Sequence, residues 1–459
     1  MGVDGSIFTE GKVGKVLLKF AIPAIISLLV AELYNMVDTF FVGRYVGPSA
    51  IGALTIAFPI QRLLSSIGLL ISVGMSTMVA RYLGEKNFDG LKKAITSALT
   101  LTMVILVVVP LFIYVFLHGI LLAMGASELI YPLAKEYISI ILIGGFFQCM
   151  TFVMCYAMNA LGNTKITLYA TSLGAILNVI IDAALVIGMG MGVKGAAIAT
   201  VVSQFLSFTF AYYKFRSIKK SLNLEFKFTF YGDVIKTIAT VGFSTFIIEI
   251  SDAIVAVLLN NLLVETGGDS AIIIVGAITR VSMFMYINII GISSAMQPIV
   301  AYNYGAKNYE RVKETIRKTI KAVSISSIVL WSTMMIFAKP LIGSFLKDDI
   351  ILKQAVFALR IVISVFPIIA IYYISIYVYQ SIGEAKVSFL LSIYRQLVLF
   401  IPLVILSVNI WGVMGAWITY PIVDIIAAIT GVIYVKKVMN EIEEEQIQNL
   451  KGLPGTVKI

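Results

Sequence analysis

The sequence predicts an all-α polytopic membrane protein, with twelve transmembrane helices in two six-helix lobes related by a pseudo-two-fold axis along the membrane normal. Three observations predict it. The 459-residue chain is 59% hydrophobic and only 13% charged, against about 25% charged residues in soluble domains. Apolar stretches long enough to cross about 30 Å of hydrocarbon recur from end to end. A polar loop sequence also returns at an offset near half the chain length. A soluble helical bundle is excluded, because its helices need a polar stripe facing water and these are apolar nearly all round.

Twelve segments read as spans: 16–43, 51–80, 94–117, 132–160, 167–190, 194–214, 235–263, 271–301, 316–340, 355–381, 388–409 and 412–435. Several exceed the roughly 20 residues that a straight crossing needs, so tilted or bent helices are expected. Pro23, Pro59, Pro110, Pro298, Pro367, Pro402 and Pro421 fall inside them. An interior proline removes a backbone hydrogen bond and bends the helix. Transporters tolerate this where neighbouring helices or a cavity satisfy the freed carbonyl.

Lysine and arginine set the orientation. Alternate connections are basic: Arg81, Lys86, Lys92 and Lys93, then Lys165, then Lys214, Arg216, Lys219 and Lys220, then Lys307, Arg311, Lys313, Arg317 and Lys318, then Lys386. The others hold few positive charges, chiefly Arg44, Lys194 and a Lys347 that sits beside Asp348 and Asp349. The positive-inside rule then places both termini in the cytoplasm, which requires an even number of spans. The organisation expected is an N-terminal lobe over 1–214, a basic cytoplasmic linker over 215–234, a C-terminal lobe over 235–437 and a cytoplasmic tail over 438–459. The net charge of +10 reads as topology and contact with anionic lipid. No nucleic acid is expected as a partner, because the charge lies in short loops. Cys149 and Cys155 do not share a helix face and read as packing residues; His118 reads as interfacial.

The repeat is explicit. Residues 80–95 read ARYLGEKNFDGLKKAI and residues 301–316 read AYNYGAKNYERVKETI. Gly84, Lys86, Asn87 and Lys92 match Gly305, Lys307, Asn308 and Lys313. The same offset of 221 pairs Gly162 and Lys165 with Gly383 and Lys386. With one residue deleted, Val193, Gly195 and Ala196 pair with Val413, Gly415 and Ala416. An even number of spans separates equivalent points, so the halves share one orientation. That is the parallel-repeat plan of alternating-access carriers.

Ionisable groups inside spans cost about 2.5–3.5 kcal/mol each and usually mark ion or substrate paths. The first half holds Glu32, Asp38 and Asp182; the reading of the second half singles out Glu249, Asp252 and Arg280. Asn178 lies at i−4 from Asp182 on one helix face, and Thr200 offers a hydroxyl at similar depth if segments 5 and 6 form a hairpin. Asp38 has Tyr34 and Asn35 at i−4 and i−3. If segments 1, 5 and 6 pack together, two carboxylates, an amide and a hydroxyl converge. These hard oxygens suit a small cation of the Na⁺ type. Without it, two adjacent carboxylates do not both stay ionised, so the same site can hold a proton. A structural hydrogen-bond network is the bland alternative. Under the repeat, Asn178, Asp182 and Thr200 map to Leu399, Leu403 and Tyr420, so this cluster does not recur and belongs to the first half alone.

These residues resemble the multidrug and toxic compound extrusion (MATE) family of cation-coupled antiporters, across all twelve segments. The likeness is carried by FAIPAIISLLVAELYNMVDTFFVGR, by RYLGEKN, and by NVIIDAALVIGMGMGVKGAAIATVVSQ, and it looks like the DinF-like or MepA-like side of the family. The resemblance implies a coupling-cation (Na⁺ or H⁺) site at Asp38, Asn178, Asp182 and Thr200, and a bending first helix at Pro23. Glu249 resembles the seventh-helix acid of the NorM branch, although segment 10 offers no acid to partner it. Tyr34, Asn35, Glu249 and Asp252 are therefore candidates for substrate contact or a second cation site, and Tyr34, Met36, Phe40 and Met75 for an adaptable apolar wall.

The expected function is secondary active multidrug efflux. Small organic, mainly cationic compounds would leave in antiport with H⁺ or Na⁺, through a monomer in the plasma (inner) membrane that needs no cofactor. A related flippase moving a lipid-linked or polysaccharide precursor is the alternative. An enzyme is not expected: no HExxH, GxSxG or paired catalytic-aspartate motif lies in the spans, and no Walker A sequence is present.

Overall fold

A computed structural model describes residues 5–224, 229–344, 346 and 348–451. Among them every regular element is helical. Eleven helices are long and apolar enough to cross a membrane: Val13–Tyr45, Ser49–Gly84, Phe88–Val115, Tyr131–Ala160, Lys165–Gly188, Gly192–Ser221, Gly232–Gly268, Ser270–Gly305, Tyr309–Ile336, Ala385–Trp411 and Val413–Asn449. A bent pair, Asp349–Val362 with Phe366–Ile382, completes twelve. We number these spans 1 to 12 in chain order, the bent pair being span 10.

Span 10 is broken where Pro367 implied a bend. Its halves meet at 51°. Pro367 has no N–H for the carbonyl of Ile363, so the ladder stops there. Span 9 starts at Tyr309, seven residues before the sequence estimate, because Asn308 caps it: its side chain accepts the N–H of Arg311. Span 12 runs on as one helix to Lys451, with Lys437 and Glu441 one turn apart on its polar end. The remainder of the expected tail lies outside the described residues, as do Lys347 and residues 225–228 of the linker.

The sequence repeat is a repeat of backbone conformation. Lys86 and Lys307 both turn left-handed, at φ 58° and 57°. Asn87 and Asn308 then cap the next helix through the same side-chain bond. Their own N–H groups bond back to Tyr82 and Asn303, each at 2.8 Å. Gly162 and Gly383 close spans 4 and 10 at φ 90° and 87°, and Gly192 and Gly412 stand at φ 60° and 57°. A left-handed turn after a helix costs a side chain energy that glycine avoids. Spans 5 and 11 each contain a π-helical stretch, Ala183–Gly188 and Tyr394–Phe400, at positions that the repeat offset does not pair.

The chain folds as two compact units. The first comprises Met1–Ile7 and Ile26–Phe246, the second Phe8–Ile25 and Ile247–Ile459. Span 1 is therefore divided two residues beyond Pro23. In the first unit the core is built on small residues that let helices approach closely: Ala53 and Ala57 of span 2 and Ala196 and Ala197 of span 6 pack with Tyr137, Ile138 and Ile141 of span 4. The start of span 7 belongs to this unit because Gly242 and Gly74 let it cross span 2 backbone to backbone. A Cβ on either glycine would overlap a carbonyl of the other helix, that of Leu70 or Ile238.

In the second unit, Gly431 of span 12 seats against the backbone of Tyr372 in span 10. Fully buried Phe8 stacks on Tyr302 at 4.8 Å. Arg311 fixes that N-terminal strap by donating to the carbonyls of Phe8, Glu10 and Gly11.

Candidate functional site: two buried polar centres

In the first unit, spans 1, 5 and 6 bring Tyr34, Asp38, Asn178, Asp182 and Thr200 together. Thr200 Oγ1 accepts from Tyr34 Oη at 3.3 Å and from Asn178 Nδ2 at 3.5 Å. The carboxyl groups of Asp38 and Asp182 lie beside each other. Asn178 and Asp182 are fully buried, Thr200 is 1% exposed and Asp38 7%. Helical spacing puts Asn178 and Asp182 on one face, and the π-helical turns begin directly after Asp182. Such insertions often mark functional sites, because they re-aim side chains without ending the helix.

Two further residues complete the centre, and sequence reasoning passed over both. Tyr137 of span 4 donates to Asp38 Oδ2 at 3.5 Å, and Gln61 of span 2 donates to Tyr137 Oη at 3.4 Å. Their signal in the sequence is a polar group inside an apolar run, with no ionised partner at helical spacing to mark it. Among the described residues, Asp38 Oδ1, Asn178 Oδ1 and both carboxyl oxygens of Asp182 accept no N–H or hydroxyl hydrogen bond, and the two acids are close enough to hydrogen-bond each other through a shared proton. Buried acceptors normally find donors, and an unpaired buried carboxylate is costly. Adjacent carboxyl groups with acceptor capacity left over have the chemistry to hold a proton or a small hard cation. Among the described residues no three His, Cys, Asp or Glu side chains converge, so the set lacks the donors of a tight transition-metal site.

Other expected residues fall elsewhere. The side chain of Asn35 lies outside the described residues. Met75 is fully buried in span 2, in keeping with ordinary helix packing. Phe40 is 62% exposed. Cys149 is buried with its thiol on the carbonyl of Leu64 at 3.3 Å, and Cys155 is also buried and free. His118 is exposed and pairs with Tyr131 Oη at 2.8 Å.

Glu249 and Asp252 stand on span 7 in the second unit, where a second polar centre corrects the reading of that half. Arg395 of span 11 and Asp424 of span 12 were not singled out from the sequence. They form a buried ion pair with Nη2 2.7 Å and Nε 3.0 Å from Asp424 Oδ1. They are 3% and 1% exposed. The guanidinium also donates to Tyr286 Oη at 2.8 Å and Tyr373 Oη at 3.4 Å. Tyr372 Oη accepts the backbone N–H of Arg395 at 3.2 Å and donates to the carbonyl of Leu391. Asp252 is within electrostatic reach of Tyr286, Tyr373 and Tyr420 and accepts from Gln396.

The MatE family model matches residues 23–184 and 240–406, most of both halves. The chain belongs to the MatE family. Its members are transporters, and the MatE chain here is an integral multi-pass membrane protein. It is 24% identical over 426 residues to the FAD transporter of Shewanella oneidensis, covering 91% of this chain and 93% of that protein. The multidrug export protein MepA of Staphylococcus aureus is 23% identical over 454 residues, 97% of this chain and 98% of that one. A solved structure of a multidrug resistance MATE family transporter of the MOP superfamily, in an outward-facing conformation, superposes with a TM-score of 0.89. It shares 24% identity and covers 96% of this chain and 98% of that chain. This likeness establishes the MatE fold; the chemistry of the two centres rests on their own residues.

Proposed function

We propose that this MatE protein is a secondary active efflux carrier, exporting small organic, mainly cationic compounds in exchange for Na⁺ or H⁺ by alternating access. The oxygens of Asp38, Asn178 and Asp182 that accept no N–H or hydroxyl hydrogen bond carry the reading. They form a site that is incomplete until a cation or proton arrives. Thr200 and Tyr137 hold the frame around it, through Tyr34 and Asn178 on one side and Asp38 on the other.

Ion entry draws Asp38 and Asp182 together. Asp38 rides on span 1, whose two halves belong to different compact units with Pro23 near the division. A proline is where a helix bends at least cost, so ion binding at Asp38 has a mechanical route along span 1. One charge moving inward across 100 mV supplies about 2.3 kcal/mol, roughly fifty-fold accumulation of cargo. An even number of spans and the basic connections support a plasma-membrane orientation with both termini in the cytoplasm. Export of varied drug-like compounds is supported by the name of the multidrug export protein MepA, and a positive charge on them by the acids Glu32, Glu249 and Asp252 inside the spans. Tyr34, Asn35, Glu249 and Asp252 remain the residues proposed for substrate contact or a second cation.

The test is gradient-driven ethidium efflux from proteoliposomes with imposed ΔpH or ΔNa⁺. Asp38→Asn and Asp182→Asn should each abolish the gradient dependence; full efflux by either variant would sink the proposal. The name of the Shewanella relative favours a second cargo, a flavin dinucleotide, so the same vesicles should be assayed with FAD.

A further inference from the structure

The first part of span 1 is held in the second unit at both of its ends. Residues 8–25 belong to that unit, and the chain from Ile26 onward to the first. The four-residue helix Ser6–Thr9 cannot satisfy its own last carbonyls, and the chain then turns at Gly11, φ 76°. Arg311 of span 9 takes up the carbonyls there, that of Phe8 at 2.6 Å and those of Glu10 and Gly11 at 3.3 and 3.2 Å. Asn303 of span 8 donates to the Phe8 carbonyl as well, at 3.2 Å. The Phe8 ring is fully buried, with the rings of Tyr302 and Phe20 at 4.8 and 5.6 Å. At the other end, Ile25 runs close against Gly291 of span 8, where a Cβ would overlap the Ile25 side chain and lie 3.2 Å from its Cα. Between these ends, Val13, Val16, Leu17, Phe20 and Ala21 bury one helical stripe.

This grip is not part of the repeat. The loop of the first half has Arg81, Tyr82 and Gly90 where that of the second has Tyr302, Asn303 and Arg311. Arg81 pairs with Glu85, one turn away. The left-handed lysine and the capping asparagine serve both halves. The stacking tyrosine, the amide and the guanidinium serve only the start of span 1. Pro23 lies two residues before the end of the held stretch, and Tyr34 and Asp38 lie beyond it in the first unit.

We propose that residues 8–25 are a fixed post on the second unit, and that Arg311, with Asn303, is a positioning residue for ion coupling. This rests on the coupling-site reading of Asp38 and Asp182. A pull on Asp38 bends span 1 only if the far end of the helix is held. With its start gripped by Arg311, movement of the outer part is taken up at Pro23, where the backbone ladder already lacks a bond. With its start released, the span tilts as one rod and ion binding no longer drives the bend. The planar fork of arginine suits this task, since it holds three carbonyls at once; lysine keeps the charge without the fork.

The experiment uses the full chain in proteoliposomes, with Cys149 and Cys155 replaced by alanine. Spin labels on Lys15→Cys and Glu314→Cys, two exposed positions of the second unit, report their separation by pulsed electron resonance. One narrow distance is expected, unmoved by saturating Na⁺ or by low pH; a distance that shifts with the ion overturns the proposal. Arg311→Ala should broaden that distance and lower gradient-driven ethidium efflux roughly tenfold, within the range by which one site couples to another. The ion-induced change in its melting temperature should stay as in the wild type, and Arg311→Lys should recover part of the efflux. A contact that serves the fold alone predicts a lower melting temperature with undiminished efflux per folded protein, and that result overturns the proposal. Loss of the ion-induced change does so too, because Arg311 would then act on the ion site itself. If Arg311→Ala cannot be purified, Phe8→Ala should show the same pattern, and wild-type efflux from it is contradictory. Failure of the coupling reading shows separately, as full efflux by Asp182→Asn, whereas the label distance tests the post without it.

Discussion

Asp182 is buried next to a second carboxyl group, and neither of its carboxyl oxygens accepts an N–H or hydroxyl hydrogen bond. Its replacement should separate stability from function. Asp182→Asn removes one of two facing acids, so the variant should melt no lower than wild type, with a gain of about 1–2 kcal/mol, while losing gradient-driven efflux. Na⁺ should raise the melting temperature of the wild-type protein, by linkage about 2.7 kcal/mol at a hundredfold excess over its dissociation constant, and should do nothing for Asp182→Asn. Protons compete for the same oxygens, so the Na⁺-induced shift should shrink as pH falls; a thermal-shift series over pH checks the sign. At this scale the first centre was largely legible in sequence, because an acid with an amide one turn away stands out in an apolar run. Tyr137 and Gln61 did not stand out, since Tyr and Gln inside spans have many ordinary uses. Arg395 and Asp424 were as visible as Asp182, but their meaning lies in a pairing between two helices that no local spacing announces.

At the scale of elements, the sequence located all twelve spans, because a hydrophobic run long enough to cross a bilayer is an unambiguous signal. It missed a start set by a polar cap: Asn308 begins span 9 early, whereas the break in span 10 falls where Pro367 announced a bend. Replacement of Asn87 or Asn308 by alanine should cost about 1 kcal/mol each, measured as matched drops in unfolding free energy for the two halves. The Gly74 and Gly242 crossing was invisible in sequence, where glycines are common in spans. Gly242→Val should destabilise the first unit by about 1–3 kcal/mol or more, since the obstacle is the rigid backbone carbonyl of Leu70. Pro23→Ala should do the reverse: a stiffer span 1, a folded protein and slower transport, seen as a fall in efflux with an unchanged melting temperature.

For the whole molecule, the repeat carries the account. Left-handed Lys86 and Lys307 with their Asn caps show that one helical scaffold was used twice. The chemistry was then allowed to diverge, with an incomplete oxygen site in one half and a self-satisfied ion pair in the other. The orientation proposed from the basic connections is checked by cysteine accessibility: a residue introduced in the region 313–318 should be labelled only from the cytoplasmic side. The central claim, that the first six spans hold the exchangeable ion, is tested most directly in one measurement: Na⁺- and pH-gradient-driven ethidium efflux from proteoliposomes, wild type against Asp182→Asn. The account predicts gradient-dependent efflux for the wild type and none for the variant, with passive ethidium binding retained. Equal gradient-driven efflux from both would contradict it.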